Sequence, residues 1–243
     1  MTYVNSLASV ARGIEVKILI PGRTEQKIGE PLDDGIPIPQ TSTDDIDVTN
    51  QDSGDWKEYK AGRKDGGECE IKCHAIAGDL GQIELAYASA NGSTALFTVT
   101  FSDGSYLTFY GTVKTFDHIV EGQLLLISSK VKVSGEPIYS TSKSALTGLT
   151  VTGETLIPSS FAGTTYVYTT TIAAADTQAV IVPVQAAPGT TITVDGKTVA
   201  SGGNGTITIG AAGTDVVRSV AVVVAEPSKA VTVYTVIIIR PGE

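Results

Sequence analysis

The chain has 243 residues, a net charge of −9 at pH 7 and 26 glycines, which makes it a globular chain of one large or two ordinary domains. An acidic protein of this kind does not attract nucleic-acid phosphates, whose binding depends on lysine and arginine. No apolar run approaches the roughly 18 residues of a membrane span, and the first sixteen residues, lacking a cationic stretch ahead of the apolar ones, do not read as a secretory signal.

Residues 1–11 form a polar, lightly apolar arm. Alternation at Ile14, Val16, Ile18 and Ile20 predicts a first strand, ended by Pro21-Gly22. A loop spaced by Pro31, Pro37 and Pro39 follows. Between Asp44 and Glu58 lie six acids (Asp44, Asp45, Asp47, Asp52, Asp55 and Glu58) against one base, Lys57, together with the only tryptophan, Trp56. Ile46 and Val48 alternate with Asp45 and Asp47, which predicts a strand with one acidic face and one apolar face packed on the rest of the fold. Asp52-Ser53-Gly54-Asp55 reads as a turn, so 36–66 is expected to form a long loop and hairpin.

Cys69, Ile71, Cys73 and Ala75 share one face of a further strand. Asp79 with Gln82 resembles a capping box, opening a helix over 79–90 with a stripe of Leu80, Ile83, Leu85, Ala86 and Tyr87. Strands over 95–101 and 106–115 flank Ser102-Asp103-Gly104-Ser105, a hairpin turn. An apolar strand is expected over 123–133, and a polar linker from Gly135-Glu136-Pro137 to Ser144.

Beyond it the composition shifts to Thr, Val, Ala and Gly, without His or Cys. Residues 1–144 hold 20 acids and 13 bases, and residues 145–243 hold 6 and 4. Seven short strands are expected over 149–152, 166–172, 179–184, 191–194, 206–209, 216–224 and 231–239, with a two-residue turn at Asp195-Gly196. That density of strands is the pattern of an immunoglobulin-like sandwich.

Other chemistries fit poorly. Cys69 and Cys73 sit four apart on a strand, with α-carbons about 13 Å apart, too far for a disulfide. His74 points away from both, so neither a zinc site nor a Cys–His nucleophile assembles. Asp45, Asp47, Thr49 and Gln51 miss the calcium-loop pattern, which needs a glycine where Asn50 stands. The same carboxylates could be drawn as a glycosidase pair, but nothing builds a cleft around them. Gly202-Gly203-Asn204-Gly205 lacks the Lys-Ser/Thr of a phosphate loop. No catalytic residue, metal or cofactor is assigned.

Two resemblances cover the chain. Leu149-Thr150-Val151, the stretch 156–161 before Tyr166, 191–196 and 233–240 resemble a cadherin-like or bacterial immunoglobulin-like β-sandwich. Asp45-Ile46-Asp47-Val48-Thr49, Asp52-Ser53-Gly54, Trp56-Lys57-Glu58-Tyr59, the stretch 61–68 and Phe101-Ser102-Asp103-Gly104 resemble the major tail tube protein of long-tailed bacteriophages. Arg63-Lys64 departs from that family, which places an apolar residue beside Gly62.

The resemblance implies a mainly β chain with a tail tube domain over 1–140, a linker at 141–145 and an immunoglobulin-like sandwich over 146–243. It implies stacked hexameric rings whose hairpins line a lumen, stacked with the help of the N-terminal arm. DNA would pass without specific binding. Other partners would be the tape measure protein, the tail terminator and baseplate or tip proteins. The protein would belong to the virion tail, assembled in the host cytoplasm, with the C-terminal domain on the tail exterior. On that reading Asp44, Asp45, Asp47, Asp52, Asp55 and Glu58 are lumen-lining candidates. The rival readings are a monomeric β-sandwich adhesin that binds glycan or a surface, and a carboxylate hydrolase.

Overall fold

The computed structural model describes residues 13–242; the expected arm over residues 1–11 lies outside them. The chain is mainly β, with one α-helix. The first part carries β1 (Glu15–Leu19), β2 (Gln26–Lys27), β3 (Ser42–Asp47), β4 (Tyr59–Asp65), β5 (Glu68–His74), α1 (Leu80–Asn91), β6 (Thr94–Thr100), β7 (Tyr106–Val113), β8 (Asp117–Glu121) and β9 (Leu124–Ser140). The second carries β10 (Leu146–Val151), β11 (Val167–Thr171), β12 (Gln178–Gln185), β13 (Thr191–Val194), β14 (Lys197–Val199), β15 (Gly205–Thr208), β16 (Val216–Ala225) and β17 (Thr232–Arg240).

Seven strands of the first part form one antiparallel sheet, in the order β2-β1-β6-β7-β9-β5, with β8 added to the free end of β9. Val16, Ile71, Phe97, Phe109 and Val131 from its strands meet Leu85 and Ala88 of α1 in one core, so the sheet curls around the residues it buries. Phe97 and Phe109 stack across β6 and β7 with ring centroids 5.3 Å apart. β3 and β4 stay out of this sheet and form a two-stranded ribbon of their own.

The helix begins where the sequence places it. Asp79 Oδ1 accepts from the Gln82 amide at 2.8 Å, as an N-cap should. The Gln82 side chain does not reach back to close the box: its Nε2 donates to His74 O and its Oε1 accepts from the Ile76 amide. The expected stripe is corrected. Gly81, Leu85 and Ala88 are buried, while Leu80, Ile83 and Tyr87 are exposed. The reason is proximity, since a Cβ on Gly81 would lie 2.2 Å from Lys27 O. The helix therefore docks by Leu85 together with the small Gly81 and Ala88.

In the second part, β10-β12-β15 form one sheet and β11-β17-β16-β13-β14 another, with β11 and β17 parallel. Leu149, Ile181 and Ile207 of the first meet Ile192, Val222 and Val236 of the second in a separate core, so two sheets pack face to face. Asp195 and Gly196 take φ of 52° and 77°, the left-handed pair that a two-residue hairpin turn requires.

The two parts touch through Leu19 and Leu96 on one side and Ala221, Val231 and Val233 on the other. Residues 135–140, expected as linker, are strand: Leu107 pairs with Tyr139 and Tyr106 with Ser140, past a register shift that lets β9 accommodate Pro137. The short connection after it is held down. Ser144 N donates to Ala230 O at 2.8 Å and Ala145 N to Glu226 Oε1 at 2.7 Å. Lys143 Nζ lies 4.3 Å above the Tyr106 ring and 5.2 Å from that of Tyr166, a cation–π contact that spans the joint.

Candidate functional surface: the charged hairpin

β3 and β4 pair antiparallel, with Asp47 opposite Tyr59, Ile46 opposite Lys60, and Asp45 opposite Ala61. A bulge follows, after which Thr43 faces Lys64 and Ser42 faces Asp65. Gly66-Gly67 then turns the chain back into β5. Gly67 has φ 74°, and a Cβ there would lie 2.0 Å from Gln40 O, so only glycine fits this hinge. At the base, Lys132 Nζ of β9 contacts both carboxylate oxygens of Asp65, at 3.1 and 2.9 Å.

Strand alternation sorts the six candidate acids. Asp45 and Asp47 share a face with Tyr59 and Ala61. Asp44 lies on the other, beside Ile46 and Gly62, because a Cβ on Gly62 would come within 3.1 Å of both Asp44 and Ile46. Glu58, two residues before Lys60 and so on the same side of the strand, accepts from the Val48 amide through its carbonyl. Asp52 and Asp55 are in the connecting turn, which Asn50 closes through its carbonyl to the Ser53 amide and its side chain to the Asp52 amide. All six are exposed, but they do not form one cluster on one face.

The apolar side of the expected strand is also exposed. Ile46 is 51 % accessible and belongs to none of the core clusters; Trp56, near the tip, is 84 % accessible. The ribbon thus leaves apolar side chains and two strand edges uncovered, a combination that invites pairing with another chain.

Directly after Glu58 the returning strand carries Lys60, Arg63 and Lys64. The family departure at Arg63-Lys64 is accommodated because both side chains are exposed on β4. Over residues 42–65 there are seven acids and four bases, with the acids on β3 and in the turn and the bases mostly on β4.

Local bonds tune two of the carboxylates. The Thr49 side chain and amide, with Lys57 at 3.6 Å, hold Asp47 below the ordinary aspartate range. Lys132 and the Gly67 amide do the same for Asp65. Both groups are therefore held as carboxylates, and neither is poised for proton transfer at neutral pH.

The remaining candidates are placed as follows. Cys69 and Cys73 are buried and free, and burial pushes their thiols up to about 12 and about 11. His74 is on the opposite face of β5, with its amide bonded to Glu30 O. Among the described residues no group of three or more His, Cys, Asp or Glu side chains could hold a metal ion. Gly203 N donates to Ala200 O in a turn that leads into β15 rather than a helix, so the glycine run is no phosphate loop. Tyr168 and Tyr234 are buried and pack on Phe161 with centroids 5.7 Å away, so they form core and not an open platform for sugars.

No curated protein matches the chain. A solved chain of the anti-feeding prophage baseplate is similar over 55 % of this chain and 96 % of its own, at 7 % identity and a TM-score of 0.46. One from the SPP1 tail tube is similar over 52 % of this chain and 76 % of its own, at 14 % identity and a TM-score of 0.40. By sequence, residues 36–140, the stretch that holds the charged hairpin and runs to the end of β9, match the family of the lambda phage tail tube protein.

Proposed function

We propose that this protein is a structural, non-enzymatic subunit of a bacteriophage tail tube. The family match over residues 36–140 carries the reading. The exposed two-stranded ribbon of β3 and β4 supports it, because a lone ribbon is marginal by itself and gains stability by joining a larger sheet. Six subunits would close into a ring, with their ribbons forming the inner wall, and rings would stack into the tube. The protein would act from the virion tail, after assembly in the host cytoplasm. Tape measure protein and DNA would pass through; terminator and baseplate or tip proteins would meet the two ends.

On this reading the acids of the ribbon act on the passing polymer by repelling it. Carboxylates at the inner wall repel phosphates, which keeps a sliding polymer from adhering, and the effect survives salt where the polymer passes within about one Debye length, ~8–10 Å, of the wall. Asp45 and Asp47, on one face, are the first choice for the wall; Asp52 and Asp55 would stand at its rim. Residues 146–242 would form an immunoglobulin-like sandwich on the outside of the tube. The strand orders β10-β12-β15 and β11-β17-β16-β13-β14 suit such a sandwich.

Negative-stain electron microscopy of the purified full chain across a concentration series tests the proposal. Rings or tubes with six subunits per layer are expected. A monodisperse monomer at every concentration and salt condition would overturn it.

A further inference from the structure

The ribbon has two free edges of opposite charge. β3 (Ser42–Asp47) carries Asp44, Asp45 and Asp47 and no base, and β4 (Tyr59–Asp65) carries Lys60, Arg63 and Lys64. Its single acid, Asp65, is occupied by Lys132. Among the described residues each strand pairs only with the other, so a strand added beside β3 would meet acids on both faces and one added beside β4 would meet mainly bases.

We infer that these edges join a second copy of this chain head to tail, β3 of one subunit against β4 of the next, and that their charges select this mode over two-fold pairing. The inference rests on the tail-tube reading and adds to it which edges meet and what chooses them. Two-fold pairing would set β3 against β3, bringing Asp45 and Asp47 of both copies together on one face and Asp44 of both on the other, or β4 against β4, bringing like bases together. Like charges on adjacent strands are destabilising. Head-to-tail pairing sets acid against base at both edges, and it is the heterologous mode that closes rings.

Strand direction agrees. β3 and β4 are antiparallel within a subunit, so a copy generated by rotation about a ring axis presents its β3 antiparallel to the β4 beside it. The pairing also redistributes charge on the wall. Lys60, Arg63 and Lys64 of each neighbour partly neutralise β3, and the turn acids Asp52 and Asp55 become the main uncompensated charge.

Two full-chain variants test this. One carries Asp44→Lys, Asp45→Lys and Asp47→Lys, so that both edges are basic. The other carries Lys60→Glu, Arg63→Glu and Lys64→Glu, so that both are acidic. All six side chains are exposed, and unchanged circular dichroism and melting temperature verify the fold. Each variant alone should need at least about tenfold more protein than the parent to assemble at low salt, since apposed like charges oppose docking. An equimolar mixture should assemble, with the two variants alternating around the ring.

Assembly of either variant alone at the parental concentration would overturn the inference, as would two folded variants that fail to assemble when mixed. A parent that forms no ring removes the tail-tube reading itself; a parent that forms rings while the variants do so equally well removes only the edge selection.

Discussion

Lys132 Nζ lies 2.9 Å from Asp65 Oδ2, and this pair joins the last residue of the charged ribbon to the longest strand of the sheet. The ribbon is otherwise attached through Gly66-Gly67 and the chain leading into β3. Its orientation therefore depends on a contact that salt and pH can reach.

Asp65 is held below the ordinary aspartate range by Lys132 and then by the Gly67 amide. A depressed carboxylate contributes above its unfolded value and loses that contribution as pH falls through the folded value. The Gly67 amide, which donates to Asp65 Oδ1 at 2.9 Å, should report it. Its proton shift is expected to titrate with a midpoint below the usual aspartate value of about 3.9. In Lys132→Met the midpoint should move upward, and amide exchange over residues 42–65 should quicken with little change elsewhere.

Arg240 is a different kind of tie. It is only 1 % exposed and forms no ion pair with a carboxylate among the described residues. Its guanidinium donates to the carbonyls of Asp176, Gly210, Ala211 and Thr214 and to the Thr214 hydroxyl, so one side chain ties the β11–β12 loop to the β15–β16 loop at an end of the second sandwich. Arg240→Met keeps an apolar stem but strands those carbonyls. A loss on the order of 3–5 kcal/mol is expected, measured as a lower denaturant midpoint for unfolding.

Strands and turns were legible wherever their chemistry is local. Asp195-Gly196 and Ser102-Asp103-Gly104-Ser105 marked hairpins because positive φ favours those residues, and Asp79 marked the helix start by its side-chain oxygen. What depends on a distant neighbour was not legible. Periodicity offered Leu80, Ile83, Leu85, Ala86 and Tyr87 as the buried stripe of α1; of these Leu85 is buried, while the close approach of the Lys27–Ile28 backbone seats Gly81 in place of its larger neighbours. Pro137 suggested a linker, yet β9 continues through it because a bulge opposite β7 absorbs the missing donor. β8 was missed, since Asp117, His118 and Glu121 dilute its alternation. In the charged ribbon the acids were visible and their division between two faces and a turn was not, because that division follows from the pairing register with β4.

The joint between the two parts should respond to acid. Burial alone raises the Glu226 carboxyl, but Lys229 and the Ala145 amide outweigh it and hold the group below the ordinary glutamate range. Its contribution is present above the unfolded value of about 4.3 and disappears as pH falls through the lower folded one. Glu226→Gln should melt earlier than the parent at pH 7, and the gap in melting temperature should close as pH falls below about 4.

The cysteines provide a control on integrity. Burial raises the thiols of Cys69 and Cys73 to about 12 and about 11, so the reactive thiolate is scarce at pH 8. A thiol reagent is expected to label neither residue in native protein and both in denaturant. Rapid labelling of the native chain would mean that β5 opens readily.

Cryo-electron microscopy of the assembled protein tests the central claim most directly. A hollow tube is expected, with the β3–β4 ribbons on its inner wall, Asp45 and Asp47 at the lumen, and the second sandwich outside. Ribbons on the outer surface, or residues 146–242 lining the passage, would contradict it.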